Sequence, residues 1–121
     1  MKTLIAIAAP AALFPPLAMA PASAAGVEKV FKFYCAQCHG LTGKGDGPNV
    51  TKDFPVSPRN FTSAEEMNKL TDADLKNVIL DGGPSVSKSP MMPPWGKTIP
   101  EEDVDALIVY LRQLCNCKGK Q

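Results

Sequence analysis

Between Phe33 and Gly40 the chain reads FYCAQCHG, so two of its four cysteines sit beside its single histidine. Three chemistries use paired cysteines at this spacing. They are thiol–disulfide exchange, one half of a zinc site, and covalent attachment of haem, for which Cys-x-x-Cys followed directly by His is the attachment pattern. Cys35 and Cys38 are the sulfur candidates for all three. Only the third also gives His39 work in the same segment.

An element has to hold these side chains together. GVEKVFKFYCAQCHG spaces Val27, Val30, Phe31, Tyr34 and Cys38 as on one face of a helix. Cys35 and Cys38 are three apart, so a helix turns both sulfurs to one side. The next stretch, GLTGKGDGPNVTKDFPVSPRNF, is dense in Gly and Pro and reads as a loop. Structureless loops of that length are uncommon in small domains and are usually functional, so this one needs something to wrap around. Ser63 to Glu66 reads as a capping box opening a short helix, SAEEMNKL. Thr71 caps a longer helix with Leu75, Val78 and Ile79 on its apolar face and Gly82 or Gly83 at its end. After PSVSKSPMMPPWGKTI, a last helix starts around Pro100. Glu101, Glu102 and Asp103 suit its dipole, and Val104, Leu107, Ile108, Leu111, Leu114 and Cys115 form its stripe. No alternating strand pattern appears. The reading is all-α, about four helices with long Gly/Pro loops.

A length of 121 residues suggests one domain. Residues 1–24 read as a cleaved secretory signal peptide: Lys2, an apolar run, then Ala22-Ser23-Ala24 as the cleavage site. A membrane anchor needs about 20 apolar residues, and Pro10, Pro15 and Pro16 interrupt this run. The expected domain is therefore 25–121, exported and soluble in the periplasm, with no stable membrane insertion after cleavage. Export puts the cysteines in an oxidising compartment. A domain of fewer than a hundred residues is small for a purely apolar core, so a cofactor or cross-link is expected to help. Loss of Lys2 leaves as many basic as acidic side chains, which argues against nucleic acid or an anionic membrane as partner.

These features weigh unequally on the three chemistries. Thiol–disulfide motifs of this spacing accompany a βαβ pattern, which is missing. A four-sulfur zinc site would use Cys35, Cys38, Cys115 and Cys117, but one-residue spacing in LCNCKG is tighter than that of paired zinc ligands, and His39 and the loops would be left over. Haem accounts for more. Two thiols on one helical face can add to the porphyrin vinyls, and His39 can offer a nitrogen to iron. The ring then supplies the missing apolar bulk and the loops become its walls. With no second histidine, methionine is the sixth-ligand candidate. Met1 and Met19 belong to the leader and Met67 reads as core, which leaves Met91 and Met92 in SKSPMMPPWG. The prolines there stiffen the loop and reduce the entropy lost on ordering it.

CAQCHGLTGKGDGP, SPRNFT, MPPWG and VDALIVYLRQL, in that order, resemble the class I (monohaem) c-type cytochromes of the bacterial periplasm. The resemblance implies a helical cytochrome c fold with the first and last helices crossing beside one covalently bound haem c. It implies Cys35 and Cys38 as thioether positions and His39 as proximal iron ligand. Met92 is implied as distal ligand, because in similar sequences the ligand methionine directly precedes proline; Met91 is second in line. Pro48 is implied as the carbonyl partner of the other His39 nitrogen, and Arg59 and Trp95 as haem surroundings. The implied function is one-electron transfer between redox protein partners, with no catalytic residue, and with Lys44, Lys88 and Lys97 in haem-wall loops to guide an acidic partner. The alternative is a small-gas-binding protein, or a cytochrome subunit of a redox enzyme complex, with a displaceable sixth ligand. Cys115 and Cys117 depart from the pattern. A bond between them requires a non-helical backbone; otherwise they are available to link two chains as a dimer.

Overall fold

The computed structural model describes residues 24–120. The leader reading over 1–24 therefore lies, Ala24 apart, outside the described residues. Ala24–Val30 (α1) runs through a π-helical turn, Phe31–Cys35, into Ala36–His39 (α2), and the three make one N-terminal helix. Ala64–Met67 (α3) is a single turn, and Asp72–Asp81 (α4) and Glu101–Cys115 (α5) are longer. A 3₁₀ turn, Gly83–Val86, follows α4, and there is no strand among the described residues. Among the described residues the architecture is all-α with four helical bodies.

The N-terminal helix packs on α5. Val27 and Phe31 enter one core with Val104, Leu107, Ile108 and Leu111. Burying each such side chain contributes about 1.5–3 kcal/mol. Phe31 is 0% exposed, with its ring 5.2 Å from that of Tyr110 and 6.2 Å from that of Phe61. That anchor sits in the π turn, where the Ala36 N–H reaches back to the Phe31 carbonyl. Widened turns of this kind are frequent at functional sites, and this one ends on Cys35. Of the stripe read on α5, Leu114 is only partly buried; Met67 is fully buried, as its core reading required.

The caps hold with one difference. Thr71 and Asp74 form the full reciprocal box. Ser63 Oγ accepts from the Glu66 N–H at 3.3 Å, but the second half of that box is absent. The Glu66 carboxylate is taken instead by Arg59, 2.9 Å away.

α2 is four residues long, and its end would expose carbonyls that need donors. The glycine-rich loop supplies them: the N–H groups of Gly45, Gly47 and Asn49 donate to the carbonyls of His39, Cys38 and Gln37 at 2.7, 3.1 and 2.9 Å. Gly40, at φ +79°, turns the chain out of the helix. Gly47 passes so close that a Cβ there would collide with the Ala36 and Gln37 carbonyls.

α5 ends in a reversal. Asn116 is left-handed at φ +48°, and the N–H groups of Asn116 and Cys117 donate to Gln113 and Arg112 at 3.1 Å each, a Schellman pair. The same turn lets Cys115 and Cys117 bond to each other across a Cα distance of 5.2 Å. This corrects the dimer expectation, since both thiols are used within one chain. The non-helical residue that the bond requires is Asn116. Closing so short a loop constrains the unfolded chain by only about 1.6 kcal/mol in the chain-entropy model.

Thr71→Ala is expected to lower unfolding stability by about 1 kcal/mol, read from the urea midpoint. The Thr71 N–H, then its hydroxyl, hold the Asp74 carboxyl below its ordinary pKa of 3.8. A depressed folded-state pKa stabilises above the ordinary value and is lost as pH falls through the folded one. Asp74→Asn should therefore be less stable than wild type at pH 7, and the gap should close as the pH falls below 3.8. Gly47→Ala should cost about 1–3 kcal/mol by overpacking, seen in the same titration. An unchanged midpoint would mean that the loop does not need to lie against α2.

Candidate functional site

A cavity of about 1520 Å³ opens between the N-terminal helix, the two long loops and α4. It exceeds the roughly 300–1,000 Å³ typical of small-ligand pockets. Cys35, Cys38 and His39 line it from the end of the N-terminal helix, and Met91, Met92 and Trp95 from the loop before α5. Leu75, Val78 and Ile79 of α4 and Leu111 of α5 complete an apolar wall.

The His39 ring stacks on Phe61, centroids 4.3 Å apart. Its Nδ1 donates to the carbonyl of Arg59 at 3.1 Å. That tautomer leaves the lone pair on Nε2. Burial pushes the His39 pKa down, against the opposing pull of the Arg59 carbonyl, which favours the neutral form of the ring, the form that ligates a metal. Burial, helped by the neighbouring Cys38, pushes the Cys35 thiol up to about 12. Cys38 lies 3.9 Å from the Asn49 side-chain amide.

Met92, from the loop before α5, and His39, from the end of α2, both border a second, small void of about 20 Å³, together with Phe61 and Leu111. Met91 does not, and is 46% exposed. The methionine loop is fastened to the end of α4: the backbone N–H groups of Trp95 and Gly96 donate to the carbonyls of Ile79 and Leu80 at 2.9 and 3.0 Å, and Gly83 N–H to that of Met92 at 2.9 Å. The Trp95 ring leans on Tyr34, centroids 5.2 Å apart.

Arg59 lines the cavity, as does its ion-pair partner Glu66. Pro48 does not line it and is exposed. The carbonyl on His39 Nδ1 is that of Arg59 instead, because residues 45–49 are committed to the end of α2. Lys44 and Lys88 line the cavity, whereas Lys97 is exposed and outside its wall. Phe61, Glu66 and Asn49 are site residues that sequence reasoning missed. The Arg-Asn-Phe run in SPRNFT was the available signal for Phe61, and no local pattern marks the other two.

The four cysteines do not converge. Cys115 and Cys117 are bonded to each other, and among the described residues no three His, Cys, Asp or Glu side chains group as a metal site. A four-sulfur zinc site is thereby excluded. A large apolar-walled cavity edged by two thiols, an imidazole and a thioether does fit a covalently tethered metalloporphyrin. No helix among the described residues is long and apolar enough to cross a membrane.

Comparison with known proteins agrees with that fit. Residues 22–111 match the family described as cytochrome C oxidase, cbb3-type, subunit III. Among solved structures, the chain is similar to the KustC0563 c-type cytochrome, at 27% sequence identity and a TM-score of 0.56, covering 72% of this chain and 94% of that one. Comparison with curated proteins finds no match. The matched family and fold carry covalently attached haem c, the group that the cavity accommodates. With the match spanning most of its length, the chain belongs to the cbb3-type subunit III family of cytochrome c domains and is a class I, monohaem c-type cytochrome.

Proposed function

We propose that this cytochrome is a one-electron carrier exported to the periplasm after loss of residues 1–24, with haem tethered through Cys35 and Cys38 and its iron held between His39 and Met92. The observation that carries the ligand assignment is that His39 and Met92 border the same small inner void while Met91 is turned out. When bound, the haem supplies a ferric–ferrous couple.

The protein's part is to hold and insulate. Arg59 fixes the His39 ring through its carbonyl, and such outer bonds orient a ligand and tune the metal. Thioether ligation raises the potential, and the apolar wall of Leu75, Val78, Ile79 and Leu111 works in the same direction by disfavouring the extra ferric charge. The two acids on the cavity wall are both engaged: Glu66 by Arg59, and Asp74 in the Thr71 box. Neither is free as a general acid or base, which supports transfer of electrons rather than bond chemistry. Lys44 and Lys88 at the cavity are the cations available to an acidic redox partner. The family's description as an oxidase subunit favours a second reading, in which the carrier hands its electron to an enzyme complex and its sixth ligand is displaceable.

The test is the visible spectrum of the mature holoprotein, oxidised and reduced, then exposed to carbon monoxide. A six-coordinate carrier keeps its spectrum under carbon monoxide. Met92→Ala is expected to admit carbon monoxide and lower the potential, and Met91→Ala to do neither. The reverse pattern would transfer the ligand role to Met91. Rapid carbon monoxide binding by the wild type would favour the displaceable-ligand reading.

A further inference from the structure

The cytochrome function proposed above assigns no role to Cys115 and Cys117, and the turn they bridge is also held by other bonds. The end of α5 is already closed by the Schellman pair. Arg112 also fastens it independently: Nε donates to Asp72 at 2.9 Å, and two further N–H groups donate to the carbonyls of Met67 and Leu70 at 2.8 Å each. The tail beyond the bridge is stitched to the same turn, Gly119 N–H to the Asn68 side chain at 3.1 Å and Lys120 N–H to the Leu70 carbonyl at 3.0 Å. A cross-link spanning one residue adds little to these.

Its surroundings are those of a reacting pair. Cys117 is partly exposed, whereas Cys115 is 6% exposed. The Arg112 guanidinium lies 3.9 Å from Cys117 Sγ, and a neighbouring cation favours a thiolate. Cys115 Sγ lies 3.3 Å from the Arg112 carbonyl, which can accept from an S–H. Each sulfur therefore has a partner suited to its reduced form.

We propose that the Cys115–Cys117 bridge is a thiol–disulfide exchange site for a protein dithiol, a two-electron centre separate from the haem. In the first step a thiolate of the partner attacks Cys117 Sγ. The intramolecular S–S bond breaks, a mixed disulfide forms at Cys117, and Cys115 leaves, takes a proton from solvent and donates to the Arg112 carbonyl. In the second step the other thiol of the partner, losing its proton, attacks the mixed disulfide. Cys117 departs as a thiolate beside Arg112, and the partner leaves oxidised to its disulfide. Two electrons pass to the cytochrome cysteines and the partner loses two. Exchange of this kind depends on access to the attacked sulfur and on the leaving thiol, and both differ between the two cysteines here.

The test uses the oxidised holoprotein with an excess of reduced thioredoxin as the dithiol probe, quenched with iodoacetamide and mapped by peptide mass. The expected result is alkylation of both Cys115 and Cys117 within minutes, at a rate unchanged by urea too dilute to unfold the protein. A rate that rises with urea in step with global unfolding, or no alkylation, would overturn the proposal. Relative access to the two sulfurs is read from single variants incubated with glutathione disulfide, in which the remaining thiol attacks a glutathione sulfur. Cys115→Ser should form a mixed disulfide at Cys117, at a rate several-fold above that of Cys115 in Cys117→Ser. Equal or inverted rates would show that Cys117 is not the more accessible sulfur and would overturn the proposed order. Should Cys115→Ser not fold, thioredoxin with its resolving cysteine replaced, added to the unmodified holoprotein, traps the same intermediate. Capture at Cys117 supports the order, and capture at Cys115 or none overturns it.

Discussion

The end of α2 sets the site. A four-residue helix leaves carbonyls that must find donors, and it finds them in the loop that follows rather than in its own next turn. That requirement places the glycines. Gly47 has to lie against the carbonyls of Ala36 and Gln37, and only a residue without a side chain fits. The consequence reaches the chemistry, because the same bonds fix Cys38 and His39 relative to the loop that returns at Arg59. The Arg59 carbonyl then holds the imidazole. The methionine side repeats the device, with Trp95 and Gly96 closing the carbonyls at the end of α4. Both segments that bring candidate iron ligands are thus tied by backbone hydrogen bonds at helix ends, in addition to the packing of His39 on Phe61 and of Trp95 on Tyr34.

That arrangement explains how a small core tolerates a large hollow. Leu111, Leu75 and Ile79 belong at once to the packed core and to the cavity wall. These three side chains are already buried by the protein itself, and a covalently held porphyrin would extend that apolar packing into the cavity. A tether through two sulfurs suits such a cavity, since it would hold the group against this apolar wall.

Much of this was legible in the residues. Helical spacing gave the N-terminal helix, α4 and α5, and Thr71 and Pro100 marked where two of them begin. The Cys-x-x-Cys-His run named the chemistry because its meaning is local. What was not legible depends on contacts between distant segments. Glu66 read as the second half of a box with Ser63, and a long-range competitor, Arg59, took its carboxylate. Pro48 lies near His39 in sequence, but its loop is held on α2 and the Arg59 carbonyl takes Nδ1. Lys97 shares a loop with Met92 and still lies outside the cavity wall. The bridge at Cys115 was hidden because helical spacing argues against it, and one left-handed residue, Asn116, removes the objection.

Arg112 shows how one side chain joins these levels. Its guanidinium gives bonds to α4 through Asp72 and to the turn before it through the Met67 and Leu70 carbonyls, while its backbone carbonyl receives the Cys117 N–H. Its side chain is nearly buried, 10% exposed, and a guanidinium in such a place is stable only when its donors are matched. They are matched mainly by backbone oxygens at the end of α3, so the cation serves as that short helix's cap. Lysine, a single compact ammonium, cannot span three acceptors in a plane. Because Leu70 also lines the cavity, the residue that caps α3 fixes one part of the haem wall and stands beside the sulfur of Cys117. The wall and the terminal bridge are therefore mechanically adjacent through one planar group.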